Sequence, residues 1–194
     1  MNGFERRTNE KKKHIEETTM PFLKEELNNI KIADIARQAG VSQVSLYNYY
    51  GNKVGLVASA LKRLMNMRLD EITHLLRSEK TFDQKLRELI LWKAKSTTLF
   101  NPTTFKHIYE ANTEFQLYVG EYASQVGYPL FMELVQQGRE EGCIRPNIKD
   151  ETLILYVRIM QNVFMTTDEN LQQATAVAEE FMDMFFYGVL RQEE

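Results

Sequence analysis

Between Ser42 and Lys53 the chain reads Ser-Gln-Val-Ser-Leu-Tyr-Asn-Tyr-Tyr-Gly-Asn-Lys. Read as a short helix, this stretch puts Leu46 and Tyr50 four residues apart on one face. At 3.6 residues per turn, Val44 and Asn48 then fall about 160° and 200° around from Leu46. Ser45 and Tyr47 sit on the shoulders, with Gln43 near the start. The face turned from the core therefore carries no Lys or Glu, and it exposes a valine. Such a face suits base edges in a major groove. Gln43 can bridge adenine or reach guanine, Val44 can meet a thymine methyl, and Asn48 lies beside them. The hydroxyls of Ser42, Ser45, Tyr47 and Tyr49 can hold phosphate oxygens and fix the register. Lys53 stands at the start of the next helix, where free N–H groups already favour a phosphate.

Two short helical patterns must position these groups. Ile32 to Gln38 forms the first, with Ile32, Ile35, Ala36 and Ala39 on one face. Gly40 suits the left-handed residue that ends a helix, and Ser42 is a favourable N-cap for the second pattern, which runs to about Tyr50. Gly51-Asn52 closes that helix, and Asn52 can cap the next. A preceding helix is expected from about Thr8 to Glu26, bent by Pro21.

The run Ile32–Lys53, continuing to Leu56, closely resembles the DNA-binding segment of TetR-family transcriptional regulators. The matching residues are Ile35-Ala36, Ala39-Gly40-Val41-Ser42, Leu46-Tyr47, Tyr49-Tyr50, Lys53 and Leu56. Two positions depart from the family's habit. Lys31 stands where Thr is common, so a hydroxyl–phosphate contact becomes a charged one, and Val44 stands where a small residue is usual. Pro21 and the short Asn28-Asn29 turn also make the first helix unusual. The resemblance implies an all-α chain: a three-helix DNA-binding head with a helix-turn-helix over residues 1–52, and a ligand-binding and dimerisation body of about six helices over 53–194. It further implies a homodimer on a pseudo-palindromic duplex operator, released by a small-molecule effector, with repression as the family's usual mode.

The remainder agrees with a helical body. Long apolar-periodic stretches are expected over Lys53–Ser78, Phe82–Phe100, Thr103–Asn112 and Glu114–Glu141, the last kinked near Gly127 and Pro129, and over about 150–166 and 171–190. The last two are apolar around more than one stripe, which suits burial on two sides. Tyr156, Val163, Phe164, Phe181, Met182, Phe185, Gly188 and Val189 are therefore expected at the contact between two copies in a two-fold arrangement. The middle helices are rich in aromatics. Trp92, Phe105, Tyr109, Phe115, Tyr118, Tyr122, Phe131, Tyr156 and Met160 are the candidate lining for a mostly apolar effector.

Bulk properties narrow the class. The chain has 194 residues and a net charge of −3, divided unevenly: residues 1–53 hold nine Lys/Arg against seven Asp/Glu, and the rest holds fifteen against twenty. A basic N-terminal part on an acidic body is compatible with DNA. A lone cysteine, Cys143, and the lack of a signal-peptide pattern or long apolar run suit a cytoplasmic protein with no membrane partner. His14, His74 and His107 show no paired metal spacing, Cys143 has no activating neighbours in sequence, and no phosphate loop or nucleophile motif appears. No metal, cofactor or enzymatic activity is expected. The alternative to a DNA-binding regulator is a helical adaptor or sensor using the head for protein contact.

Overall fold

The computed structural model describes residues 3–96 and 99–166, with Met184 and Gly188 beyond them. Helix α1 spans Gly3–Thr19, α2 Ile32–Gln38, α3 Gln43–Tyr50, α4 Lys53–Leu76, α5 Phe82–Ser96, α6 Pro102–Ala111, α7 Thr113–Tyr122, α8 Tyr128–Glu140 and α9 Asp150–Thr166. Of the helix expected over 171–190 only Met184 and Gly188 are described, and both are helical. The all-α class is as the sequence implied.

Helix α1 differs from its expected span at both ends. It begins five residues earlier, at Gly3, on a polar stretch tied by Arg6–Glu10 and Lys13–Glu17 pairs at i,i+4 spacing. It stops at Thr19, and Met20–Lys24 continues as a 3-10 turn with Pro21 in its first turn. Proline lacks the N–H that an α-helix would use there, so the chain tightens instead of bending. A second proline marks the α7–α8 junction. Ala123–Gly127 forms a π turn, in which the Tyr128 N–H reaches back to the Ala123 carbonyl just ahead of Pro129. The π turn falls where the sequence leads us to expect a kink, at Gly127 and Pro129.

The chain divides into two compact units, Met1–Leu69 with Thr98–Val119 and Asp70–Thr97 with Gly120–Glu194. In the first, one apolar cluster joins Ile15 and Leu23, the α2 residues Ile35 and Ala36, Leu46 of α3, Leu56, Val57 and Leu61 of α4, Ile108 of α6 and Phe115 of α7. At about 1.5–3 kcal/mol for each large side chain removed from water, this shared core is what fixes α3 in place. Polar ties supplement it. The Asn101 N–H donates to the Leu23 carbonyl at 2.7 Å, and buried Thr104 donates its hydroxyl to the Glu25 carbonyl at 2.8 Å. The start of α6 is thereby pinned to the segment between α1 and α2.

In the second unit α5 packs on α8 at Gly138. A Cβ there would come within 2.7 Å of the Phe82 ring and 2.8 Å of Ile144, so only glycine allows the approach. The Glu141 carboxylate accepts the Phe82 N–H at 2.9 Å and caps α5. Lys85, buried, donates to Gln137 Oε1 at 2.7 Å.

Candidate nucleic-acid interface

The turn between α2 and α3 is built by residue type. Gly40 takes φ +63°, the left-handed region, and the Val41 N–H closes back on the Ala36 carbonyl at 3.0 Å. Ser42, in extended conformation, accepts the Ser45 N–H at 3.1 Å and starts α3. At the far end Gly51 takes φ +74°, and Asn52 caps α4 by accepting the Gly55 N–H at 2.9 Å. Both glycines stand where a side chain would strain the backbone.

Helix α3 shows two unlike sides. Leu46 is 2% exposed, whereas Val44 is 66% and Tyr47 47% exposed, and Gln43 and Asn48 are exposed with them. A valine left so open on a well-packed helix has no role in this core. Lys31 and Ser42 are exposed as well. Ser45 is half-buried, its hydroxyl 2.9 Å from that of Ser42.

The remaining candidates are held more tightly than the sequence suggested. Tyr49 is half-buried, edge-on to Tyr50 at 6.3 Å, with the ammonium groups of Lys11 and Lys12 5.9 and 5.8 Å from its ring centre. Lys53 donates its Nζ to the Leu27 carbonyl at 2.7 Å and to the Ile30 carbonyl at 3.1 Å, clamping the loop before α2. Tyr50 lies inward, donating its hydroxyl to the Lys12 carbonyl at 3.1 Å, with Glu16 Oε1 3.5 Å away. Burial, reinforced by the Glu16 charge, raises its phenol well above the usual tyrosine range.

Residues 15–60 match the family model described as bacterial regulatory proteins, tetR family. Solved structures share the fold over nearly the whole chain. A TetR transcription regulator from Haloarcula marismortui is 16% identical, with a TM-score of 0.69 over 94% of this chain and 100% of that one. The regulator FadR from Bacillus subtilis, solved with stearoyl-CoA, is 17% identical, with a TM-score of 0.62 over 91% and 98%. A regulator from Saccharomonospora viridis, solved with choline, is 14% identical, with a TM-score of 0.66 over 95% and 100%. No curated protein sequence matches the chain. The TetR-family model thus covers the segment that holds α2 and α3, and the solved structures extend the likeness in fold beyond it.

The residues expected around an effector fall in both units. Phe115 is wholly buried in the first unit, its ring 5.4 Å from Phe105 and 6.4 Å from Tyr118; Phe105, Tyr109 and Tyr118 all pack on that core. The Tyr118 hydroxyl also donates to Asn66 Oδ1 at 2.7 Å. In the second unit Tyr122, Phe131 and Tyr156 are half-buried, and Trp92 donates its indole N–H to Glu71 at 3.2 Å. The Met160 side chain lies outside the described residues. An open depression of about 370 Å³ in this unit is lined by Arg139, Pro146, Asn147, Ile148, Lys149, Asp150 and Glu151, none of them aromatic.

Of the expected dimer contacts, Tyr156 is half-buried and Gly188 exposed; Val163, Phe164, Phe181, Met182, Phe185 and Val189 lie outside the described side chains. Leu155 and Ile159, absent from that expected set, are 56% and 53% exposed and stand one turn apart on α9. Their i,i+4 spacing is the signal in the sequence that points to them. Among the described residues no helix is long and apolar enough to cross a membrane.

Proposed function

We propose that the chain represses transcription as a homodimer, with residues 1–52 as the DNA-binding head and 53–194 as the ligand-binding and dimerisation body. The observation that carries the reading is the exposure of Val44 and Tyr47 on a helix whose opposite side, Leu46, is sealed. Gln43, Val44 and Asn48 read base edges, while Lys31, Ser42, Ser45, Tyr47 and Tyr49 hold phosphates on either side. Lys53 adds its charge from a position fixed by two carbonyls.

Two copies meet through α9, where Leu155 and Ile159 offer an apolar face, and through the helix expected after it. Two heads about one helical turn apart then read a pseudo-palindrome in successive major grooves. The effector is a small, mostly apolar molecule received among the aromatics of the body, with Trp92, Tyr122, Phe131 and Tyr156 the strongest candidates. It favours a head spacing that mismatches the half-sites, so operator DNA must weaken effector binding by the same factor that effector weakens operator binding.

Selection of binding sites from random duplexes tests this reading. A two-fold symmetric site should emerge, and Gln43→Ala should relax preference at one base pair in each half-site at a cost of about 1–3 kcal/mol. Failure to enrich any duplex at low salt, with effector absent, refutes it and leaves the protein-contact adaptor.

A further inference from the structure

We propose that the first three turns of α1 form a second DNA-contacting element, in which Arg7, Lys11 and Lys12 follow the phosphate backbone outside the base pairs read by α3. The inference rests on the reading of α3 given above and extends it to a part of the head that the helix-turn-helix does not include.

Three observations carry it. First, the described side chains of residues 3–14 do little for the core. Among their described side chains none is buried, and the first buried residue of α1 is Ile15. Three turns of helix are marginal in water without packing, and the described side chains here supply none, so their charged groups are open to another contact. Second, its charge is one-sided. The stretch holds Arg6, Arg7, Lys11, Lys12 and Lys13 against Glu5 and Glu10. Arg6 and Lys13 pair with Glu10 and Glu17 at 3.8 and 3.9 Å. Arg7 and Lys11 stand on another side of the helix, four residues apart, and among the described residues Arg7, Lys11 and Lys12 form no ion pair. Third, the extension is attached to the reading helix. The Lys11 and Lys12 ammonium groups both lie within 6 Å of the Tyr49 ring centre, and Tyr49 is the immediate neighbour of exposed Asn48. A cation over a tyrosine face is held by the ring quadrupole, so the two charges stay beside α3 when it lies in a groove.

A row of cations without counter-charges beside a base-reading helix fits a polyanion running past that helix, and the duplex backbone is that polyanion. Lys11 and Lys12 sit beside Tyr49 of α3, and Arg7 lies one turn before Lys11 on α1. Contacts of this kind add affinity and salt dependence without adding sequence information.

The test compares three full-length proteins on the selected operator: the natural chain, Arg7→Gln/Lys11→Gln/Lys12→Gln, and the control Arg6→Gln/Lys13→Gln, which removes cations that are already paired. Each is followed by a salt titration of affinity and by hydroxyl-radical footprinting. The first variant should lower the slope of log affinity against log salt by about 2–3, near 0.9 for each phosphate that is no longer neutralised. It should also lose protection at backbone positions flanking the half-site while base preference stays the same. The control should change slope and footprint little. Equal slopes and footprints for the natural chain and the first variant overturn the proposal, as does an equal loss in both variants, which would reduce the effect to net charge. Helical circular dichroism and the unfolding midpoint identify a folding defect; in that event Lys11→Arg/Lys12→Arg should keep the natural slope, and a fall there overturns the arm. If the natural chain selects no duplex at all, the reading of α3 fails and the arm falls with it. A duplex bound with an unchanged slope removes the arm alone.

Discussion

Arg63, on α4, donates its Nε to Glu16 Oε2, on α1, at 2.7 Å, and Glu16 Oε1 lies 3.5 Å from the Tyr50 hydroxyl at the end of α3. Three helices of the first unit thus meet at one carboxylate. The adjacent residue, Lys62, pairs instead with Glu114 and lies over the Tyr118 ring of α7 at 5.4 Å. Consecutive residues of α4 therefore grip α1 and α7.

Removing the Glu16 charge tests this joint. Both partners are about three-quarters or more buried, so Glu16→Gln leaves Arg63 without its main counter-charge. A loss of about 1.5–3 kcal/mol is expected, the range for hydrogen bonds to charged groups. Chemical unfolding measures it, and the paired change Glu16→Gln/Arg63→Met should cost less than the two single losses added together. Additive losses would mean that the two residues do not act as a pair.

Tyr50 gives the same joint a pH dependence of definite sign. Its phenol is raised above the ordinary value of 10.0, first by burial and then by Glu16. Above about pH 10 the unfolded chain gives up this proton while the folded chain keeps it, so folding binds the proton and stability falls as pH climbs. The contribution is complete below about pH 10 and is lost towards the folded-state value. Unfolding measured at pH 9 and pH 11 should show the fall, and Tyr50→Phe should make it shallower. At neutral pH that variant should lose about 0.5–1.5 kcal/mol with the bond to the Lys12 carbonyl. An equally steep fall in Tyr50→Phe would assign the effect to other tyrosines, Tyr118 first, since burial raises it too.

The junction of α3 and α4 depends on Gly55. A Cβ there would collide with the Tyr50 carbonyl oxygen, a backbone atom with little freedom to retreat. Gly55→Ala, an ordinary improvement inside most helices, should here cost about 1–3 kcal/mol, the range for overpacking. It should also weaken operator binding beyond what the stability loss explains, because α3 must turn relative to α4. A variant that is stabilised and binds normally would contradict this geometry.

These joints mark the limit of what the sequence displays. Gly40, Ser42, Gly51 and Asn52 are local signals, so α2 and α3 are legible to the residue. Pro21 is visible too, but whether a helix answers proline by bending or by tightening depends on what Leu23 packs against, which is a tertiary matter. The early start of α1 is hidden because Gly3–His14 has no apolar periodicity; its support comes from i,i+4 charge pairs. Phe105, Phe115 and Tyr118 look like cavity lining in the sequence because periodicity reveals an apolar face without saying which neighbour fills it. The bonds of Lys53 and Tyr50 join residues 23 to 38 positions apart, beyond any local pattern.

The apolar face of α9 makes a prediction about assembly. Leu155→Asp/Ile159→Asp places two carboxylates where a second copy is proposed to pack, and a buried unpaired charge is strongly unfavourable. Sedimentation should show a dimer for the natural chain and a monomer for the variant, with helix content retained because both side chains are exposed in the single chain. Operator affinity should fall by far more than tenfold, since one head then binds alone. A variant that remains dimeric moves the interface off this face.

Lys53 separates two roles within one side chain. Its ammonium closes the loop before α2 through the Leu27 and Ile30 carbonyls, which leaves one of three N–H donors for a phosphate. Lys53→Met keeps the aliphatic stem and removes the charge. It should lower the stability of the chain by about 1.5–3 kcal/mol, because two carbonyls lose a charged donor. If the third donor reaches the backbone of the operator, the salt slope should also flatten by about 0.9, equally for every sequence. Loss of stability with an unchanged slope would confine Lys53 to the loop and remove it from the phosphate contacts; an unchanged stability would show that the two carbonyls are satisfied by water once the ammonium is gone.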